Sequence, residues 1–204
     1  SQTWDFSEKK MLNTHLWDPG MCDGGNANMA MAYLSRWGGP VNERADPYDL
    51  TNLLSRPNLK VRKHVQNMYF IPGVSASGDN KNIKTAIMNY GGVYSLMYMN
   101  EKDHALYNPL TASYNFDYNY WYNQLFSSDK PVYYPNHAVT LVGWNDTYDR
   151  RNFATPALNN GAYIAKNSWG TGFGDKGYIY ISYYDASIGN VANTVFTAEP
   201  LKNL

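Results

Sequence analysis

The sequence lacks the features that define membrane-spanning and nucleic-acid-binding proteins. Its apolar runs are all shorter than the ~18 residues that a membrane-spanning helix requires. Lys and Arg together number 17, as do Asp and Glu, and this balance argues against nucleic acid or an anionic membrane as the main partner. Only 17% of the residues are charged, whereas 19 are tyrosine. This composition is typical of an extracellular β-rich protein.

Cysteine is nearly absent, since Cys22 is the single one in the sequence. One cysteine excludes an intrachain disulfide but leaves the redox compartment open, because it can pair with another chain. His15, His64 and His104 have no metal-ligand spacing, so no metal site and no cofactor is predicted. The oxygen-rich turn 145–149 is interpreted as a solvated turn rather than a calcium site, because its spacing differs from that of calcium-binding loops.

A change in composition near residue 65 predicts two domains, a helical part over residues 1–65 and a β-rich part over residues 66–204. The predicted class is therefore α+β. Apolar periodicity and capping residues predict three helices. The first begins after Ser7, the second covers residues 27–37 and the third covers residues 82–90. Gly38-Gly39-Pro40 is predicted to end the second helix. Strands are predicted from β-branched and aromatic residues over 60–71, 93–99, 137–144, 162–167 and 177–183.

Two polar residues stand at the ends of neighbouring predicted strands. His137 opens one strand and Asn167 closes the next. If residues 145–159 connect an antiparallel pair, the equal lengths of 137–144 and 160–167 make His137 and Asn167 cross-strand neighbours at one end of the sheet. The asparagine oxygen then accepts a hydrogen bond from one imidazole N–H, which fixes the tautomer and aims the other nitrogen outward.

An imidazole held in this way is suited to activate a thiol, because the thiolate is the attacking species and a neighbouring imidazolium stabilises it. Trp169, two residues after Asn167, is placed to cover the His–Asn hydrogen bond. The alternative interpretation is that His137 is a packed or surface histidine without a chemical role. The Asn-Ser-Trp-Gly segment that follows favours the catalytic interpretation.

These segments are similar to those of a known enzyme family. Residues 136–139 and 163–178, which contain His-Ala-Val and Lys-Asn-Ser-Trp-Gly, resemble the C-terminal half of papain-family cysteine peptidases. Phe6-Ser7-Glu8 and Cys22-Asp23-Gly24-Gly25 are similar to that family's Ser-Glu-Gln and Cys-Asn-Gly-Gly stretches, so the resemblance covers nearly the whole chain. The turn 143–146 and the ending 183–185 resemble bacterial or archaeal secreted members, which implies a secreted or cell-surface location.

The resemblance implies a fold and a set of roles. The expected fold is papain-like, with a helical domain that is incomplete here, an antiparallel β-barrel-like domain, and the active-site cleft between them. His137 would be the catalytic base and Asn167 its orienting residue, while Trp169 would border the leaving-group side. Peptide or protein is the expected substrate. Its extended backbone would pair with Gly24 and Gly25, and Ala138 would help line the pocket for the second residue before the cut.

The nucleophile of this family is not recognisable in the sequence. Cys22 lacks the Gln-Gly-x-Cys and Trp-Ala-Phe context and instead resembles a cysteine that forms a structural disulfide in the family. The family pattern places the nucleophile and the oxyanion-hole glutamine upstream of Ser1. We therefore expect a small N-terminal chain to carry the cysteine, in a proteolytically processed heterodimer. Without it, the stripe Met29-Tyr33-Trp37 should lose packing, and the chain alone should be poorly soluble.

Two other functions stay open from the sequence. One is a catalytically inactive papain-like domain that serves as a binding or scaffold module. The other is a different thiol transferase of similar architecture, such as a transglutaminase-like enzyme. The residue that aligns with the nucleophile in the upstream sequence distinguishes an enzyme from a scaffold, because only cysteine supports catalysis.

Overall fold

The structure is a computed structural model that describes residues 4–18, 20, 23–49, 51–73, 80–116, 135–190 and 193–199. The described residues form an α+β fold. Contacts divide the chain into two compact units, the first made of Ser1–Tyr69 with Phe196–Leu204 and the second of Phe70–Val195. The domain assignment to residues 1–65 and 66–204 stays a prediction. None of the described helices has the length and apolar composition needed to cross a membrane.

Helix α1 (Glu8–Thr14) opens the first unit, and the predicted start after Ser7 is confirmed. The Ser7 hydroxyl accepts a hydrogen bond from the Lys10 N–H at 3.1 Å, which satisfies one of the free donors at the helix start. The same hydroxyl donates to the Asp46 carbonyl at 2.7 Å. Glu8 lies in the first turn, where a negative charge complements the helix dipole.

Helix α2 (Ala27–Ser35) is shorter than the predicted helix over 27–37. Asn26 caps its start by accepting from the Asn28 and Met29 N–H groups. The helix ends early because Trp37 adopts a left-handed conformation with φ of 60°, so the predicted role of Gly38 as the helix stop is wrong. Gly39 is required for a different reason, since a Cβ there would lie 1.6 Å from the Tyr33 hydroxyl.

The predicted apolar stripe on α2 is also corrected. Met29 and Tyr33 are buried, whereas Trp37 lies beyond the helix with 51% of its surface exposed. Its indole N–H donates to the Val65 carbonyl at 3.1 Å, and its ring lies 4.7 Å from that of His64. The stripe is therefore packed at Met29 and Tyr33 by residues of this chain.

The second unit is built around a sheet with one helix whose contacts are with β2 and β5. Helix α3 (Lys81–Tyr90) matches the prediction, and Gly91 ends it with φ of 85° while its N–H donates to the Ile87 carbonyl. The strands that the structure describes within this unit are β2 (Val93–Met97), β3 (Tyr107–Asn108), β4 (Ser113–Tyr114), β5 (His137–Asn145), β6 (Ala162–Lys166) and β7 (Tyr178–Ser182). Two further strands are divided between the units, β1 (Val65–Ile71) and β8 (Asn193–Ala198).

The strands that follow one another across the sheet are β8, β2, β5, β6, β7, β4 and β3, and β1 lies beside β8. The pairs β2–β5, β5–β6 and β6–β7 are antiparallel, whereas β4 and β7 are parallel. The sheet is therefore mixed rather than purely antiparallel. Its core is formed by fully buried apolar side chains, among them Val93, Leu141, Tyr163, Ile179 and Ile181.

Candidate active site

His137 is the first residue of β5, where the sheet positions it through the neighbouring strand β2. The last pair of the β2–β5 ladder is Met97 with His137. Met97 is completely buried, while His137 is half-buried. The imidazole therefore stands at the edge of the core, with its backbone fixed by a hydrogen-bonded strand and one side of the ring accessible.

The structure brings His137 and Asn167 into direct contact. His137 Nε2 and Asn167 Oδ1 are 2.9 Å apart. The predicted register was wrong by two residues, because β6 begins at Ala162 and its last pair is Lys166 with Thr140. One further step would place Asn167 opposite Val139, so its side chain reaches His137 diagonally. Diagonal neighbours on one face of a sheet are close enough for side chains to meet.

The hydrogen bonds around Asn167 decide which imidazole nitrogen carries the proton. Asn167 Oδ1 also accepts the Ser168 N–H at 2.8 Å, which fixes the amide with its oxygen toward His137. An amide oxygen only accepts, so Nε2 must be the N–H of the ring. In the neutral imidazole, Nδ1 then has a free lone pair. This is the nitrogen that can take a proton from a nucleophile.

Asn167 is well buried, with 7% of its surface exposed. Its amide nitrogen Nδ2 has no hydrogen-bond partner among the residues that the structure describes. Leaving a buried donor unpaired costs about 1–3 kcal/mol. The polar side chain is retained at this cost, which suggests that it serves more than packing.

Trp169 lies beside the His137 ring, and its predicted shielding of the His137–Asn167 bond stays a prediction. The Trp169 and His137 rings are 4.8 Å apart and tilted by 41°. Phe173 contacts Trp169 edge-on with ring centres 4.7 Å apart, and Tyr107 stacks on Phe173 at 5.3 Å. Tyr107 is buried, and this burial raises the pKa of its phenol. The row of rings therefore extends from the core to the imidazole.

The other predicted site residues are Gly24, Gly25 and Ala138, and each is described by its own surroundings. Gly24 lies in the first unit with φ of 80°, a conformation that favours glycine, and a Cβ there would meet nothing within 4 Å. Gly25 follows it just before the cap of α2. Ala138 is half-buried on β5 opposite Leu96. Their predicted contacts with substrate stay predictions.

Cys22 lies outside the described residues. In the turn 145–149, the carboxylates are engaged by other groups of the protein. Asp146 pairs with Lys84 and accepts the Tyr183 hydroxyl, and Asp149 pairs with Arg151. No group of three His, Cys, Asp or Glu side chains suited to a metal ion occurs among the residues with described positions.

Three contributors to the site were missed by sequence reasoning. They are the Ser168 N–H, the Phe173 ring and the Asn136 side chain. Phe173 has an indirect signal in the sequence, because it lies four residues after Trp169 in a turn rich in glycine. The Ser168 N–H and the Asn136 bonds carry no such signal, since they depend on backbone geometry at the ends of strands.

A histidine hydrogen-bonded to an asparagine amide beside a tryptophan, at the end of an antiparallel strand pair, has the geometry expected of the base half of a thiol-dependent hydrolase site. The chain belongs to the papain family of cysteine proteases, whose sequence pattern matches residues 1–198. The described structure is accordingly the papain-like α+β fold.

Solved structures and sequence relatives agree with this family. The chain is similar to the clostridial cysteine protease Cwp84 after propeptide cleavage, with 26% identity, a TM-score of 0.77, and coverage of 98% of this chain and 48% of that one. It is equally similar, at 26% identity and a TM-score of 0.75, to the cysteine protease and lectin-like domains of Cwp84, a surface layer associated protein of Clostridium difficile, covering 99% of this chain and 43% of that one.

Among sequence relatives, a cathepsin L-like protein of Caenorhabditis elegans is 25% identical over 161 residues, which are 79% of this chain and 40% of the relative. The chain therefore spans less than half the length of each of these three chains.

Proposed function

We propose that this chain supplies the histidine–asparagine half of a cysteine endopeptidase that hydrolyses peptide bonds. The observation that carries the proposal is the 2.9 Å contact between His137 Nε2 and Asn167 Oδ1 beneath Trp169. This contact leaves the other ring nitrogen, Nδ1, free to act as a base. The relationship to a surface-layer-associated protease supports a secreted or cell-surface setting.

In the proposed mechanism, His137 Nδ1 takes the proton of a cysteine thiol, and the thiolate attacks the peptide carbonyl carbon. The imidazolium then returns this proton to the leaving amine nitrogen as the C–N bond breaks, which leaves a thioester. Nδ1 next takes a proton from water, whose oxygen attacks the thioester carbonyl. The acid product leaves, and the thiol recovers its proton. Throughout the cycle, Nε2–H remains bonded to Asn167.

The nucleophilic cysteine is proposed to lie on an upstream segment or a small partner chain, which also supplies the oxyanion-hole donors. Support comes from a cavity of about 430 Å³ within the first unit. Most of its lining is apolar and includes Phe6, Met11, Tyr33, Leu34, Pro40 and Val65. Apolar surface left wet costs roughly 25 cal/mol per Å². An amphipathic helix with an apolar face is the occupant that this lining suits.

Substrate contacts are proposed for four residues. Gly24 and Gly25 precede α2 and carry no side chains of their own, so an extended peptide can approach their backbone and pair with it in β fashion. Ala138 follows His137 on β5, and the ring of Trp169 lies against the imidazole. Ala138 would contact the second residue before the cut, and Trp169 would contact the leaving-group side.

Replacement of the two site residues in the full-length protein tests the proposal. We expect His137→Ala to reduce peptide cleavage by about 10²–10⁴-fold, the usual contribution of a general acid–base group. Asn167→Ala should reduce the rate less, because it removes orientation rather than proton transfer. His104→Ala is the matched control, since His104 is an exposed histidine for which no catalytic role is proposed. Cleavage should be measured with a fluorogenic peptide, and folding by circular dichroism.

Cys22→Ser in the same assay distinguishes the source of the nucleophile. Full activity of this variant supports an upstream cysteine, whereas loss of activity with retained folding would assign the role to Cys22. Undiminished activity of His137→Ala would overturn the proposed function. Peptide binding without any cleavage by the unaltered full-length protein would favour the inactive scaffold.

A further inference from the structure

We propose that Asn136 is a positioning residue for His137, which it holds by clamping the start of β5 to the end of β2. This inference rests on the proposed function in one respect, that His137 is the catalytic base. The observation behind it is a pair of hydrogen bonds between one side chain and one backbone residue. The Met99 N–H donates to Asn136 Oδ1 at 2.8 Å, and Asn136 Nδ2 donates to the Met99 carbonyl at 3.1 Å.

The two bonds extend the sheet beyond its last backbone pair. Met97 and His137 end the β2–β5 ladder, and the Asn136 N–H donates to the Met97 carbonyl at 3.0 Å. The carboxamide of Asn136 then acts as an additional peptide group, since it offers one acceptor and one donor to Met99. These three hydrogen bonds fix the backbone and the side chain of Asn136. They therefore also fix the backbone of the next residue, His137, and with it the direction of the imidazole.

The end of β2 is itself held firmly from the core. The Tyr98 N–H donates to the Ser187 hydroxyl at 2.9 Å, and that hydroxyl donates to the Asp185 carboxylate at 2.6 Å. Asp185 is buried and also accepts the N–H groups of Phe116, Ser187 and Ile188. Burial raises the pKa of Asp185, and these donors act in the opposite direction. The residues 97–99 therefore form a fixed platform.

Asn136 differs from the platform in its exposure. Met97 and Met99 are buried, whereas Asn136 is exposed. An exposed side chain contributes little to the core, so its two directed bonds serve mainly to place its neighbour. Placement matters for a base, because a misplacement of about 1 Å can reduce a rate by about 10²-fold.

The test replaces asparagines at the two ends of β5 in the full-length protein. Asn136→Ala should reduce kcat by about tenfold or more, with KM changed by less than about twofold, because the base is misdirected while peptide binding is retained. The acid limb of the pH profile of kcat/KM should also move, since it reports the thiol–imidazole pair.

Asn145→Ala is the matched control. Asn145 ends the same strand, and its Oδ1 accepts the Thr147 N–H at 2.9 Å and the Thr147 hydroxyl at 3.0 Å. The variant removes a similar side-chain bond far from His137, so kcat and the pH profile should be unchanged. Asn136→Asp is a second variant of the same shape that keeps the acceptor and loses the donor, and its kcat should fall between those of the wild type and Asn136→Ala.

Equal kcat and equal pH profiles for Asn136→Ala and Asn145→Ala would overturn the inference. So would an Asn136→Ala protein that does not fold, or an Asn136→Asp protein that loses only stability, because either result would make the residue structural. These outcomes differ from a failure of the proposed function, which would show as undiminished cleavage by His137→Ala or as no cleavage by the unaltered protein.

Discussion

At the scale of single residues, the two polar atoms of the Asn167 amide differ in their hydrogen bonds. Its oxygen accepts from both His137 and the Ser168 N–H, while its nitrogen is unpaired among the described residues. The imidazole thus shares its acceptor with a backbone group that cannot move away. The orientation of the ring depends on this one oxygen, so protection of the bond from water becomes important.

We propose that Trp169 provides that protection, and the effect of removing its ring should be measurable. We expect Trp169→Ala to lower kcat/KM of the full-length protein by about tenfold, or about 1.4 kcal/mol, because water would compete for the His137–Asn167 bond. Phe70→Ala is the control, since Phe70 is also a largely exposed aromatic residue and lies on β1. The measurement is peptide cleavage under the same conditions. Equal losses in the two variants would contradict the shielding role.

At the scale of elements, helix α1 is held by a buried ion pair. Lys9 Nζ lies 3.2 Å from Asp46 Oδ1, and both side chains are almost completely buried. The carboxylate also accepts the Ser55 hydroxyl and the Arg56 N–H. Burial alone raises the pKa of Asp46, but these hydrogen bonds and the Lys9 ammonium outweigh it and lower the pKa below 3.8.

This pair predicts a pH-dependent stability. Lys9→Met should lower the free energy of unfolding of the full-length protein by about 3–5 kcal/mol at pH 7, because it leaves a buried carboxylate without its cation. Lys10→Met, one residue along α1, is the control. Because the pKa of Asp46 is lowered on folding, its contribution is present above pH 3.8 and is lost as the pH falls through the folded value. The two variants should therefore converge in acid.

Urea denaturation at several pH values measures this effect. A Lys9→Met protein as stable as Lys10→Met at pH 7 would show that the ion pair does not support α1.

The elements also show how far local sequence signals extend. The start of α1 at Ser7 and the end of α3 at Gly91 were predicted, because capping chemistry acts between residues close in the chain. The end of α2 was not predicted, since Trp37 takes its conformation from contacts with residues 64–65. Strand β8 was missed, although Thr194, Val195 and Thr197 are β-branched residues that favour a strand.

The candidate site was predictable in part, as far as it depends on where the strands begin and end. The pairing of His137 with Asn167 followed from strand ends that meet at one edge of the sheet. Their diagonal register did not follow, because β5 continues to Asn145 and β6 begins only at Ala162, so the pairing starts at Asn145 with Ala162 rather than at residue 144 with residue 160. The clamp by Asn136 depends on a side chain that replaces a peptide group, and a sequence pattern does not reveal such a substitution.

At the scale of the whole molecule, the first unit carries much exposed apolar surface. Large side chains that face solvent there are Trp4, Leu16, Trp17, Trp37 and Leu54. The apolar cavity of about 430 Å³ lies in the same unit. We propose that the upstream segment occupies this cavity and covers part of the apolar surface around it.

A charge placed in this cavity should weaken the proposed association. Met11→Lys should lower the melting temperature of the full-length protein by several degrees, as expected for a loss of about 1–2 kcal/mol in a domain of this size, because Met11 lines the cavity. Met88→Lys is the control, since Met88 lies in α3 and is 66% exposed. Thermal melts followed by circular dichroism suffice, and equal melting temperatures for both variants would argue against an occupied cavity.

Strand β8 lies against β2, with Thr194 paired to Tyr94, although the two strands are far apart in the sequence. A nascent chain therefore presents one unpaired edge of β2 until β8 has been synthesised. Such edges template pairing with other chains, and contacts between distant residues form slowly. Products truncated before residue 193 should consequently aggregate during synthesis, because this edge of β2 stays unpaired.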